Sequence, residues 1–321
     1  MTKPFLRRAM PLFAALLLAV PAAAQDSGDG LYAFTQDYEP APALWRLSDE
    51  DTTLYLLGTF HALPRGFEWR SAQLDAIIEE ADVLVVESSD FGAEPDAIDV
   101  DAKLTARLQR RLPTSSRLSA PGAARWRQLV AMSGHDFVSI DSMPLLLGLL
   151  TMGMTGGGPD TSSPLYGVET VLEREFLSRD RPILTIEDSG GVMYSLLRLD
   201  NSELVGELEA KLSDWDGKSL GHFFNTDYVE ETGDAYWVEE HNWARGVVAD
   251  DFDMGFGDGP IGQAFDFNLL ARRNADWAAW LEARLAVPGT ALVAVGSGHF
   301  EGEESLLAMI ERRGLVAERI D

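Results

Sequence analysis

The chain has 321 residues, of which 46% are hydrophobic, a formal net charge of −26 and no cysteine. A chain of this size and composition can bury a sizeable core. The lack of cysteine excludes disulfides, a thiolate nucleophile and a lipid anchor on sulfur, so a bound metal ion must use His, Asp, Glu or backbone oxygen. An acidic surface repels nucleic acid, and we therefore expect no nucleic-acid partner.

The first 24 residues have the pattern of a secretory signal peptide. The basic start MTKPFLRR precedes the apolar run AMPLFAALLLAV, which is too short to span a bilayer, and Ala22 and Ala24 form an A-x-A cleavage pattern. We expect cleavage after Ala24 and, because no later apolar run is long enough, no transmembrane segment in the mature chain. Residues 25–321 are then predicted to form a single domain of a periplasmic or secreted protein.

Strand and helix patterns follow one another along the chain and predict an α/β fold. DTTLYLLG and DVLVVE are continuous apolar runs, typical of buried strands, and a helical spacing of apolar residues lies between them. This unit predicts a mostly parallel central sheet flanked by helices, to which PILTIED, ALVAVG and LVAERI add further strands. Helical patterns at about residues 100–165 and 200–250 indicate helical insertions into the same domain.

Two octets share one pattern, in which an apolar strand ends in glycine and a histidine follows three residues later. They are LYLLGTFH, ending at His61, and LVAVGSGH, ending at His299. Glycine permits a positive φ and a close backbone approach, which would aim each imidazole inward, and Thr59 and Ser297 are candidates to orient the rings.

Two further strands end in a carboxylate, Glu87 after VLVV and Glu187 after ILTI. In α/β sheets ligands bind beyond the carboxyl ends of the strands, so these groups are expected to converge with the two histidines. The remaining histidines, His135, His222 and His241, are interpreted as ordinary surface groups.

A long helix is predicted over residues 265–285. Its apolar stripe contains Arg273 and Asn274. A buried arginine needs a carboxylate or a bound anion, and Glu87, Glu169 and Glu187 are the candidate partners. Such an arginine either holds the fold together or acts in a cleft, and the adjacent Asn274 favours the second interpretation.

The chain resembles the TraB/GumN family, to which the Tiki proteases are related. The resemblance lies in LYLLGTFH, ADVLVVES, YGVE, ILTIED, LLARRNADWAAWL and LVAVGSGHFEG, which occur here in the family's order. It implies an α/β fold shared with erythromycin esterase-like and ChaN-like proteins. In Tiki members it implies a metal-dependent peptidase with two G-x-x-H motifs and a glutamate. These motifs fall on His61, Glu87 and His299, and the family's R-N pair falls on Arg273 and Asn274.

The resemblance and the residues together predict an exported metal-dependent hydrolase acting on a peptide or small-molecule substrate. His61, Glu87 and His299 would hold manganese, cobalt or zinc and leave a position open for water. Arg273 would stabilise the oxyanion, and Glu187 or Glu169 would be the general base. In the erythromycin esterase-like branch similar residues are thought to act without a metal, so a metal-free site stays open. Two non-catalytic alternatives also stay open, a protein that binds haem or a peptide and an accessory protein of polysaccharide biosynthesis.

Overall fold

The central sheet of the protein has six strands among the residues that the structure, a computed structural model of the chain, describes. Those residues are 30–89, 102–155, 162–224, 232–250, 252 and 254–321. In chain order the strands are β1 Leu44–Ser48, β2 Thr52–Thr59, β3 Leu63–Pro64, β4 Val83–Val86, β5 Ser162–Ser163, β6 Ile183–Thr185, β7 Gly289–Gly296 and β8 Glu318–Arg319.

The sheet has the order β6-β4-β7-β2-β1-β8, and its first four strands are parallel. β1 and β8 complete it as antiparallel strands. The predicted mostly parallel α/β sheet is therefore confirmed. β2 and β4 are parallel, as the strand–helix–strand pattern indicates, but β7 lies between them and pairs with both. β3 and β5 form a separate two-stranded antiparallel sheet.

Helices follow most of the strands, and polar caps mark where several of them begin. Ser71, Asp188 and Ser305 each accept a hydrogen bond from a backbone amide of the following first turn. The α-helices are α1 Ala72–Glu80, α2 Ala102–Gln109, α3 Ala120–Met132, α4 Phe137–Ser142, α5 Leu145–Thr155, α6 Val168–Ser178, α7 Ser189–Arg198, α8 Ser202–Asp214, α9 Leu220–Phe224, α10 Val238–Ala244, α11 Pro260–Phe265, α12 Arg272–Arg284 and α13 Leu306–Arg312.

Apolar side chains of the parallel strands pack on both faces of the sheet. On one face, side chains of β2, β4 and β7 pack with Trp277 and Leu281 of α12 and with Ile310 of α13. On the other face, the alternate side chains pack with α1, α6 and Trp243 of α10. The continuous apolar runs of these strands follow from this two-sided burial. A third apolar core is formed mainly by helices, namely α3, α5, α7, α8 and α11.

Three features of the sheet and the helices differ from the predictions. β6 was expected to be a buried strand, but it lies at the sheet edge and Leu184 is 42% exposed. The last strand is only the exposed pair of residues in β8. The predicted helix over residues 265–285 contains a π-helical segment, Asp266–Ala271, between α11 and α12. An inserted π-turn is frequent near functional sites because it rotates the side chains that follow it.

No helix in the described part of the chain is long and apolar enough to cross a bilayer. The predicted signal peptide, residues 1–24, lies outside the described residues. So do the glycine-rich residues 156–161, and Asp251 and Asp253.

Candidate active site at the carboxyl edge of the sheet

The four parallel strands end side by side at one edge of the sheet. Thr59 at the end of β2 is in register with Gly296 at the end of β7, and Val86 of β4 is in register with Thr185 of β6. The polar groups that follow these strands therefore come together, as expected for the carboxyl edge of a parallel sheet. Backbone pairing continues beyond β6, where the amide of Glu187 donates to the carbonyl of Glu87 over 3.1 Å.

Arg273 lies at the centre of this edge. Its Nη2 donates to Glu87 Oε2 and its Nε donates to Glu187 Oε2. Its Nη1 donates to the carbonyl of Leu269, over 2.9 Å, and to His299 Nε2, over 3.1 Å. All three nitrogens of the guanidinium are thus engaged. The fixed, planar arrangement of its donors lets one arginine bind two carboxylates and an imidazole at once.

His299 is buried and held in one orientation. Its Nδ1 lies 2.6 Å from Asn274 Oδ1, and Asn274 Nδ2 donates to the carbonyl of Glu304 over 2.8 Å. The amide oxygen of Asn274 therefore faces the ring, so His299 Nδ1 is the protonated nitrogen and Nε2 accepts from Arg273. Burial acts to lower the pKa of His299, Glu87 opposes this, and the positive Arg273 adds to it, so that the pKa falls to about 3. His299 is neutral at physiological pH.

The indole of Trp277 packs against His299 and Arg273. Its ring is centred 4.3 Å from the ring of His299, and the guanidinium carbon of Arg273 lies 4.7 Å from it. Trp277 and Arg273 are four residues apart on α12, which places them on the same face of the helix. The contact is a cation–π interaction, and it adds to the ion pairs that fix the guanidinium.

His61 lies at the open side of the site. Its side chain is 63% exposed, and its Nδ1 lies 2.7 Å from Glu169 Oε1. The same carboxylate oxygen accepts a hydrogen bond from the hydroxyl of Thr59. Gly167 brings these groups together, because a Cβ atom there would lie 2.1 Å from the carbonyl oxygen of His61. Only glycine allows α6, which carries Glu169, to begin so close to the His61 backbone.

A single point beside Gly296 lies close to three of the predicted site residues. The position that a Cβ atom of Gly296 would take is 3.1 Å from Glu87 Oε1, 3.4 Å from His61 Nε2 and 3.7 Å from His299 Cδ2. The predicted positive φ is wrong for this glycine, whose φ is −48°. Its role is to leave space at the centre of the site and to donate its amide to Glu87 Oε1 over 2.7 Å.

The charges of the two buried carboxylates follow from their contacts. Burial raises the pKa of Glu87, but Arg273, the two histidines and the Gly296 amide outweigh it and hold the pKa far below its usual range. For Glu187 burial dominates, and its pKa is raised despite the contact with Arg273. Glu87 therefore stays ionised across the physiological pH range.

The pKa of His61 is shifted in the opposite direction to that of His299. Partial loss of solvent around the ring acts to lower its pKa, but the negative charges of Glu169 and Glu87 outweigh this and raise the pKa to about 9. His61 is therefore protonated at neutral pH, whereas His299 is neutral. The two G-x-x-H histidines have different charges because one faces a carboxylate and the other faces an amide and a guanidinium.

A divalent ion does not fit this arrangement. Among the described residues, no three His, Asp or Glu side chains are grouped as metal ligands would be. Of the three predicted ligands, Glu87 and His299 both bind the guanidinium of Arg273, which already supplies the positive charge. A metal ion would have to displace it before either group became a ligand.

The structure brings together all five residues that the sequence singled out, namely His61, Glu87, Arg273, Asn274 and His299. Their roles are still predictions. The rings are oriented by Glu169 and Asn274, whereas Thr59 acts through Glu169 and Ser297 bonds to neither ring within the described residues. Glu187 and Trp277 also belong to the site. The i, i+4 spacing of Trp277 from Arg273 was the only signal for its role.

The comparison with known proteins gives a family. The sequence profile described as the TraB/PrgY/gumN family matches residues 43–319. The chain belongs to this family. The matched range runs from the start of β1 to the last strand, so every element that forms the sheet of this TraB/PrgY/gumN protein lies within it. No curated protein and no solved structure matches the chain significantly.

Proposed function

We propose that this TraB/PrgY/gumN protein is an exported hydrolase that cleaves peptide bonds at the carboxyl edge of its sheet. The observation that carries the proposal is the space beside Gly296. The position that a Cβ atom would take there lies 3.4 Å from His61 Nε2 and 3.1 Å from Glu87 Oε1. A proton donor and an ionised carboxylate on either side of one small space are what hydrolysis of an amide requires. Export rests on the signal-peptide pattern of residues 1–24.

The opposite charges of His61 and Glu87 suggest the direction of proton transfer. Glu87 accepts a proton from the attacking water as the new C–O bond forms. His61, protonated at neutral pH, gives its proton to the leaving amine as the C–N bond breaks. Transfer of the proton from Glu87 to His61 then restores the site, and the products are a carboxylic acid and an amine. Arg273 holds Glu87 in place, and Glu169 holds His61.

The metal-dependent hydrolase predicted from the sequence is the competing form of this proposal. It requires Arg273 to release Glu87 and His299 so that these groups, with His61, become ligands of manganese, cobalt or zinc. Removal of metal separates the two forms. Protein stripped with a chelator keeps its activity if the guanidinium supplies the positive charge, and regains activity only with added metal if an ion supplies it.

The test is cleavage of a peptide library by the full chain, with and without chelator. We expect cleavage by the wild type, and a loss of roughly 10²- to 10⁴-fold in Glu87→Gln and in His61→Asn, the scale of a lost acid or base. His222→Asn is the matched control, since this histidine is 43% exposed and pairs with Asp216 on the surface, away from the strand ends. Equal cleavage by the wild type and both site variants would overturn the proposal.

Absence of cleavage under every metal condition would favour a binding protein instead. Haem titration then provides the next measurement. A Soret band that appears with the wild type and not with His61→Ala would support the haem-binding alternative, because His61 carries the exposed imidazole of the site.

A further inference from the structure

A second polar cavity lies away from the strand ends, between the N-terminal segment and α10. It is open to solvent and has a volume of about 310 Å³, which is in the range of small-molecule sites. It shares no residue with the site described above. Its lining consists of one buried imidazole and five groups nearer the surface, Thr35, Asp37, Asp234, Val238, His241 and Arg245.

His241 forms the inner wall of this cavity. The sequence placed it among the surface histidines, and that interpretation is wrong, because the residue is 4% exposed. The rings of Phe34, Tyr38 and Phe67 surround it at centroid distances of 6.3, 5.7 and 5.4 Å. Nothing in the sequence near His241 signalled this burial, since the three aromatic residues lie far away along the chain. His222, in contrast, is exposed as expected, and His135 is partly exposed.

The hydrogen bonds around His241 show which of its nitrogens carries the proton. Tyr38 Oη lies 2.6 Å from His241 Nδ1 and also accepts from Gln36 Nε2 over 3.2 Å. The phenol proton is therefore free to point at Nδ1, which leaves Nε2 as the protonated nitrogen. This buried N–H has no hydrogen-bond partner among the described residues, since Asp234 Oδ1 is 3.8 Å away. A buried donor without an acceptor is costly, and a ligand oxygen would relieve that cost.

Charges of both signs line the outer part of the cavity. Asp37 and Asp234 supply two carboxylates, and Arg245 supplies a guanidinium. The guanidinium carbon of Arg245 lies 4.0 Å from the ring of Tyr38, so the aromatic face holds the cation in place. Asp234 Oδ1 accepts from the amide of Thr35 over 2.6 Å, which places its exposed carboxylate at the entrance. The cavity thus offers donors at Arg245 and His241 and acceptors at the two aspartates.

We propose that this cavity binds a free α-amino acid as its zwitterion. The ammonium group of the ligand pairs with Asp37 and Asp234, and its carboxylate accepts from Arg245 and from His241 Nε2–H. Val238, which is 49% exposed, supplies an apolar wall for a small aliphatic side chain. His241 Nε2 is shielded by the neighbouring Asp234 carboxylate, so binding requires a rotation of that exposed side chain.

The chemistry of the lining disfavours the simpler ligands. A metal ion lacks its ligand set here, since the described residues contain no group of three His, Asp or Glu side chains arranged to hold one. A simple anion would meet two carboxylates and one guanidinium, and a simple amine would leave Arg245 and the His241 N–H without an acceptor. A molecule that carries both charges satisfies all of these groups.

Isothermal titration of the full chain with L-alanine, L-valine and L-leucine tests the proposal. We expect saturable one-site binding of at least one of them. Two analogues of valine serve as controls: isobutylamine, which lacks the carboxylate, and N-acetyl-L-valine, which lacks the ammonium charge. Each is expected to bind at least about tenfold more weakly than valine, since it loses one set of charge-assisted hydrogen bonds.

Two surface variants localise the binding without removing the buried imidazole. Asp37→Asn and Arg245→Gln are each expected to weaken binding about tenfold to a hundredfold. The thermal midpoint should stay near that of the wild type, because both residues are exposed. Asp276→Asn, at an exposed position of α12, is the matched control and should bind like the wild type. Absence of saturable heat with all three amino acids, or unchanged binding in both variants, would overturn the proposal.

Discussion

His299 and Asn274 share a buried hydrogen bond of 2.6 Å that determines which nitrogen of the imidazole carries the proton. Because Asn274 Oδ1 accepts from Nδ1, the lone pair of Nε2 faces Arg273. Asn274, which is next to Arg273 in the sequence, thus leaves His299 Nε2 free to accept a hydrogen bond from Arg273. The adjacent pair Arg273–Asn274 works as one unit, in which one side chain binds each side of the same imidazole.

Replacing Asn274 by leucine is expected to destabilise the fold. The change leaves the Nδ1–H of His299 buried without an acceptor, which costs about 1–3 kcal/mol. Urea unfolding of the purified variant measures this as a lower midpoint at constant slope. Asn242→Leu, at an exposed position of α10, is the matched control and should unfold near the wild-type midpoint. An unchanged midpoint for Asn274→Leu would contradict the assigned hydrogen bond.

Arg273→Met is expected to destabilise the protein as well as inactivate it. The sequence favoured a cleft residue with little role in stability, but Arg273 neutralises two carboxylates whose side chains are only 14% and 9% exposed. Removing it leaves Glu87 and Glu187 without their cation, at a cost of about 3–5 kcal/mol, as for other broken buried pairs. Thermal melts and turnover per folded molecule are the two measurements.

Arg46→Met provides the comparison for the arginine variant. Arg46 pairs with Glu318 over 2.6 Å, but both side chains are largely exposed, at 44% and 63%. Surface pairs of this kind contribute little, so this variant should melt close to the wild type. A normal melting temperature for Arg273→Met would show that the two carboxylates do not depend on the guanidinium.

The pH dependence should reveal the pair formed by His61 and Glu169. The pKa of His61 is raised from 6.5 to about 9 in the folded protein, against the loss of solvent, by Glu169 and Glu87. The proton is thus bound more tightly in the folded state. The stabilisation is fully present below pH 6.5 and is lost as the pH rises through about 9. NMR titration of the ring should give a midpoint well above 6.5 in the wild type and a lower one in Glu169→Gln.

The titration of His61 should also appear in the pH dependence of activity if the proposed proton transfer is correct. If protonated His61 serves the leaving group, kcat/KM should fall as the pH rises through about 9, and Glu169→Gln should move that fall to lower pH. A kcat/KM that instead rises through this range would assign His61 the role of a base.

Gly296→Ala tests the shared space at the centre of the site. Its φ of −48° suits alanine, so the backbone is not strained. The added methyl group, however, would lie 3.1 Å from Glu87 Oε1 and 3.4 Å from His61 Nε2. We expect cleavage to fall by at least about tenfold, since small displacements of reacting groups are costly, while the fold persists. Gly206→Ala, in α8 with nothing within 4 Å of the added carbon, is the control and should be active.

Much of the framework was predictable because it depends on local patterns. Continuous apolar runs predict strands that are buried on both faces, and β2, β4 and β7 have that burial. Polar residues directly after those strands predict a common site, because parallel strands end at one edge. Arg273 was predicted to be buried because it lies in an apolar stripe. The sequence did not predict β1, and it predicted β6 as a buried strand and β8 as a longer one, because the position of a strand at the sheet edge depends on its neighbours in space.

The sequence by itself determined which polar residues meet, whereas only the tertiary structure decided which of them pair. Three glutamates were candidate partners for Arg273, and the fold assigns Glu87 and Glu187 to it and Glu169 to His61. Glu169 reaches His61 because Gly167 lets α6 approach that backbone, a contact between segments far apart in the chain. In the same way the burial of His241 depends on aromatic rings from a distant segment. Charge and tautomer follow from these long-range neighbours, because a pKa depends on the groups around it in space and not on those beside it in sequence.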